Sequence, residues 1–68
     1  MRTFVIFSHH KTYGSILLIR KGDNGRDLCN ALKADHPYLE PVAFEDLDSG
    51  FPEVATMGLE FLRRGSMN

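Results

Sequence analysis

Thr3-Phe4-Val5-Ile6-Phe7-Ser8-His9, a polar break at His10-Lys11-Thr12-Tyr13-Gly14, and then Ser15-Ile16-Leu17-Leu18-Ile19-Arg20 form the stretch on which the fold turns. Two short runs rich in β-branched and aromatic residues, parted by a polar segment ending in glycine, predict a β-hairpin with a medium loop. Both runs are apolar at nearly every position instead of alternating. A strand with one wet face alternates, so at least one of these is covered on both faces or lies at a subunit contact.

Downstream of the hairpin, Gly22-Asp23-Asn24-Gly25 breaks the strand and offers Asp23 or Asn24 as a helix cap, since a short side-chain oxygen accepts hydrogen bonds from the free amides of a first turn. Leu28, Ala31, Leu32 and Asp35 recur at spacings of three and four, with Cys29 beside them, which predicts an amphipathic helix over 26–35. Pro37 ends it, because the residue before proline is pushed out of the α region. Val42 and Phe44 alternate with Ala43 and Glu45 after Pro41 and predict a third, half-buried strand. Ser49-Gly50-Phe51-Pro52 then opens a second helix, in whose first turn the missing proline amide costs nothing. Val54, Met57, Gly58, Phe61 and Leu62 trace its core-facing stripe, Arg63 and Arg64 suit the negative end of its dipole, and Gly65 is a natural terminator.

The expected fold is therefore a single small α+β domain over residues 1–68, ββαβα in order, with a three-stranded sheet, two helices packed on one face, and a frayed tail at 66–68. A third strand beside the second would run parallel to it, as a right-handed crossover; beside the first it would make the sheet wholly antiparallel.

At 68 residues the chain supports one core, and cores of this size supply only about 3 to 5 kcal/mol, so self-association as a homodimer is an expectation. Cys29 is the only cysteine, which excludes an internal disulfide and a multi-thiolate zinc site. The longest apolar run, Ile16 to Ile19, is far short of the roughly 18 residues that read as a membrane span, and the first residues lack the pattern of a signal peptide. A cytoplasmic protein with no membrane partner is expected.

Net charge is −1, which argues against broad nucleic-acid binding. Its distribution is uneven. Arg2, Lys11, Arg20, Lys21, Arg26 and Lys33 dominate the first 33 residues, against Asp23 and Asp27, while residues 34–62 hold Asp35, Glu40, Glu45, Asp46, Asp48, Glu53 and Glu60 and no Lys or Arg. Such segregation marks an interaction surface. The leading expectation is a non-enzymatic binding protein, such as a phage-type inhibitor or regulator, that docks on a host or cognate protein through Glu40, Glu45, Asp46, Asp48 and Glu53. The phage-type assignment follows from compact size alone.

An alternative comes from a different class. His10, Lys11, Thr12 and Tyr13 combine donors, a cation and a ring, and Arg20-Lys21-Gly22-Asp23-Asn24-Gly25-Arg26 leads from a strand into a helix start, where amides attract anions. Together they describe a dimeric binder of a nucleotide or other phosphorylated ligand using His10, Lys11, Tyr13, Arg20, Lys21 and Arg26. Asp23 and Asp27 weaken it, and neither glycine-rich nucleotide motif is complete.

Catalysis is the least supported class, with no catalytic residue and no cofactor expected. Adjacent His9 and His10 point to opposite faces of an extended strand and need a third ligand such as His36 or Asp46 to hold a metal. Glu45 and Asp46 with Asp48 resemble a magnesium carboxylate set as much as a solvated turn. Ser8 or Ser15 near a histidine lacks the Gly-x-Ser-x-Gly elbow of an acyl-transfer site. Cys29 reads as a small core residue.

Overall fold

The computed structural model describes residues 1–65. Strands β1 (Arg2–His10) and β2 (Gly14–Gly22), helix α1 (Gly25–Asp35), strand β3 (Leu39–Asp46) and helix α2 (Phe51–Gly65) follow in the expected ββαβα order. The expected frayed tail, 66–68, lies outside the described residues.

The hairpin closes between His10 and Gly14. Gly14 has φ 82°, a left-handed conformation that glycine reaches without a side-chain clash. His10 braces the loop, its Nδ1 accepting the backbone N–H groups of Thr12 at 3.0 Å and Tyr13 at 3.3 Å. The third strand pairs with the first, giving the order β2-β1-β3, antiparallel throughout. β3 starts earlier than its alternation predicted and takes in Pro41, which lacks an amide donor. An edge strand tolerates that loss, and the ladder shifts register here, between Phe7 and Ser8 of β1.

Placement of the helices departs from expectation: they lie on opposite faces of the sheet, not on one. Side chains alternate across a strand, and β1 is apolar on both sides. Ile6 meets Leu32 and Leu39, with Ile16, Leu18, Leu28 and Cys29 around them, under α1. Val5 and Phe7 meet Val54, with Leu17, Leu47 and Phe61 around them, under α2. A single-face arrangement would have left one of these sets in water. Phe4, Val5, Ile6 and Phe7 are all buried, so β1 is the strand covered twice.

Each helix also covers only part of its face. α1 packs chiefly over β3, and α2 over β2 and β1. The result is a thin, stepped slab of 35 × 29 × 12 Å, in which α1 covers β2 only in part and α2 leaves most of β3 open on its side.

Local chemistry fixes the helix starts. Asn24 caps α1, its side-chain oxygen accepting from the N–H of Arg26 at 2.8 Å and of Asp27 at 3.4 Å. Gly25 lets that first turn settle on Phe44, whose ring occupies the space a Cβ would need. The β3–α2 turn is tied to β1 by Leu47 N–H to the Thr3 carbonyl at 2.9 Å and by Thr3 N–H to Asp48 Oδ2 at 3.1 Å. Among the described residues no helix is long and apolar enough to cross a membrane.

Candidate functional site

The acidic residues separate into two groups. Glu40, at the start of β3, pairs with Lys33 of α1 at 3.2 Å. Asp46, Asp48, Glu45 and Glu53 gather at the other end, where β3 turns into α2. Residues 41–44 of the extended strand lie between Glu40 and Glu45, so the five candidate acids do not form one patch.

At that second end, a depression of about 340 Å³ opens between α2 and the bare side of β3, with Glu45, Asp46 and Glu53 on its walls and Val54 and Met57 at its base. A second hollow of about 210 Å³ adjoins it and shares Met57; Phe7 and Phe61 form its apolar part, and Glu60 and Arg64 its rim. Together they make a groove along one flank of α2, apolar below and mostly acidic above. The groove exists because α2 sits over β1 and β2, leaving the β3 half of this face uncovered.

Not all of this negative charge is available. Burial raises the Asp46 carboxyl, but the Asp48 backbone N–H, the Arg2 guanidinium and the Ser49 hydroxyl outweigh it, and the carboxyl is held below its ordinary value. Arg2 donates directly to Asp46, and Asp48 is occupied by the Thr3 amide. These two are therefore partly structural. Glu45, Glu53 and Glu60 supply the rest of the groove's charge. Glu60 was outside the expected site although it belonged to the same acidic run; only the position of α2 reveals that it stands over the groove.

The alternative ligand residues are only partly brought together. His10 and Arg20 line one depression of about 260 Å³, with His36 joining them over Ile16, Leu18 and Leu39. This is the part of β2 that α1 leaves bare. Tyr13 is exposed, its ring 4.7 Å from that of His10. Lys11 lies over the Tyr38 ring at 5.9 Å. Lys21 pairs with Thr3 at the far end of the hairpin, and Arg26 lines a different hollow, between α1 and β3, with Asn30 and Val42.

The remaining candidates are accounted for by packing. His9 stacks on Phe61 at 5.2 Å between ring centres on the α2 side, while His10 faces the α1 side. Asp46 is opposite Phe4, six residues along β1 from His10. Among the described residues no three His, Cys, Asp or Glu side chains are grouped to hold a metal ion. Ser8 and Ser15 have buried hydroxyls without a hydrogen-bond partner among the described residues, so no histidine orients either one. Cys29 is half-buried, and burial pushes its thiol pKa up.

Comparison of the chain with family models, with curated proteins and with solved structures gives no match.

Proposed function

We propose that the chain is a partner-binding protein that receives a basic segment of a host or cognate protein in the groove between α2 and β3. The observation that carries this reading is the placement of Glu45, Glu53 and Glu60 around Met57 and Phe7. Methionine adapts its shape to varied apolar surfaces, and carboxylates around it favour a partner with Lys or Arg flanking an apolar anchor. Rim charges of this kind accelerate encounter and reject acidic competitors more than they deepen affinity. A small inhibitor or regulator working in the cytosol, of the kind phages encode, is the form of function this reading favours; a lone Cys29 suits that compartment.

Charge reversal tests it. Glu45→Lys, Glu53→Lys and Glu60→Lys combined should abolish capture of those lysate proteins whose retention by the native chain falls with added salt. The far-UV circular dichroism should be unchanged. Glu40→Lys, remote from the groove, should retain them. Equal retention by the triple variant and the native chain overturns the reading.

One observation favours a second reading, a small phosphorylated ligand: His10, His36 and Arg20 converge over bare β2. A nucleotide at 100 times its dissociation constant adds about 2.7 kcal/mol of stability, so a thermal-shift series with mono-, di- and cyclic nucleotides decides it. No shift with any of them removes this reading.

A further inference from the structure

The two edges of the sheet are built differently. β3 presents a proline at position 41 and a register shift beside it, with Glu40 and Glu45 along its length. Irregularity, proline and charge are the devices that stop an edge from pairing with another chain. β2 has none of them over its central residues. Its nine residues pair with β1 in unbroken register from Gly14 to Gly22, and Ser15-Ile16-Leu17-Leu18-Ile19 present an apolar outer edge. Ile16, Leu17 and Leu18 are half-buried against the two cores, while Ile19 is 60% exposed.

Helix α2 continues this edge. Met57, Glu53, Glu60 and Arg64 form its β3 flank. With 3.6 residues per turn, the opposite flank, toward β2, consists of Phe51, Ala55, Leu59 and Leu62. Phe51 is 62% and Leu59 65% exposed. An apolar ladder at spacings of four thus lies beside the outer strand β2, on the same side as the exposed Ile19.

We infer that this combined surface, the β2 edge with the Phe51–Leu59 flank of α2, is where a second copy of the chain docks, making one antiparallel six-stranded sheet across a two-fold axis. Three features select a second copy over an unrelated strand. First, the strand is compatible with itself: with the axis through Leu17, Leu17 faces its own copy, Ile16 faces Leu18 and Ser15 faces Ile19. Arg20 then falls beside the partner's hairpin end, so no two like charges of β2 stand directly opposed. Second, the same axis sets α2 antiparallel to its own copy, and the two ladders cover each other. Third, pairing consumes the one regular edge and leaves β3 outermost on both sides, so the assembly closes as an isologous dimer instead of growing into a filament.

The α2–β3 groove lies on the other flank of the helix and stays open in such a dimer, so this inference stands or falls separately from the proposed partner site.

Sedimentation velocity of the native chain, from about 1 to 100 µM, a span that brackets micromolar affinity, tests the inference. The expected result is a species of twice 7.7 kDa at the upper end. Ile19→Lys with Leu59→Glu, both at exposed positions, should give monomer throughout with unchanged circular dichroism, and Val42→Lys on the β3 edge should leave the dimer intact. Hydrogen exchange of the native chain supplies a readout that needs no variant: amides of 15–21 should gain protection as concentration rises, while those of 39–45 do not. A native monomer at every concentration overturns the inference, as does a dimer that survives the double substitution, or concentration-dependent protection confined to β3.

Discussion

The two helices flank the same strand, yet they present different surfaces. α1 carries no large exposed apolar side chain: Leu28, Cys29 and Leu32 face the sheet, Asn24 caps its start, and its outer residues Arg26, Asp27, Asn30 and Lys33 are polar or charged. α2 has an equally regular stripe toward the sheet, in Val54, Gly58 and Phe61, but carries acids and Met57 on one flank and Phe51, Ala55 and Leu59 on the other. A helix that only closed a sheet face would gain nothing from large exposed apolar residues, which mark interaction surfaces when they are contiguous. The difference teaches that the two helices are not equivalent: α1 turns its large apolar residues to the core, while α2 also keeps large apolar residues exposed.

The largest effect expected of that difference lies beneath α1. Ile6 is fully buried at the centre of the sheet, and truncating a buried isoleucine to alanine costs about 2 to 5 kcal/mol. That is comparable to the whole stability available to a core of this size, so Ile6→Ala should lose its cooperative urea transition. A native-like midpoint in that variant would remove the premise that α1 completes the core.

Two leucines sharpen the contrast. Leu32 on α1 is 7% exposed and Leu59 on α2 65% exposed. Leu32→Ala should lose about 2 to 4 kcal/mol in urea denaturation. Leu59→Ala, measured where the chain is monomeric, should stay within about 0.5 kcal/mol, as surface substitutions do. Comparable losses at both positions would mean that Leu59 is a packing residue and that the two helices do not differ.

Much of this architecture is legible in the sequence, and the part that is not has a definite cause. Leu28-Ala31-Leu32 and Val54-Gly58-Phe61 locate both helices because a 3.6-residue stripe is a local property. The hairpin follows in the same way from two β-rich runs around Lys11-Thr12-Tyr13. Which face each helix takes is not local: Phe4, Val5, Ile6 and Phe7 are apolar on both sides of β1 and so accept a helix on either. Continuous apolarity along β1 is the sequence signal that both of its faces are covered. The acidic site was half legible for a related reason. Proximity in sequence placed Glu40 with Asp46, whereas the extended strand holds them apart, and the helix brings Glu60 back over Met57 from fourteen residues beyond Asp46.

A smaller effect concerns how α1 is capped. Asn24 accepts two first-turn amides, and Asn24→Ala leaves them to water at a cost of about 1 kcal/mol. Asn24→Asp should retain most of the stability, since a carboxylate caps the same amides and favours the positive end of the helix dipole. If alanine and aspartate behave alike in urea titrations, the cap contributes nothing and the closure of α1 rests on Leu28 and Leu32 alone.

The smallest expected effect belongs to the approach to α2, where Asp46 joins the end of β3 to Arg2. Its carboxyl titrates below the ordinary value of 3.8 in the fold, so the folded state binds this proton less readily than the unfolded chain does. The contribution is therefore complete above the ordinary carboxylate range and declines as pH falls through the lowered folded value. Exposure to water and salt screening keep it small. Following the Asp46 carboxyl carbon by NMR, Arg2→Gln should move its titration back toward 3.8, and added salt should do so in part. If Arg2→Gln left the midpoint in place, Asp48 and Ser49 would account for the lowering without the guanidinium. The α2 end of the molecule would then be held by hydrogen bonds within its own turn instead of by a tie to β1, and α2 would be the more separable of the two helices.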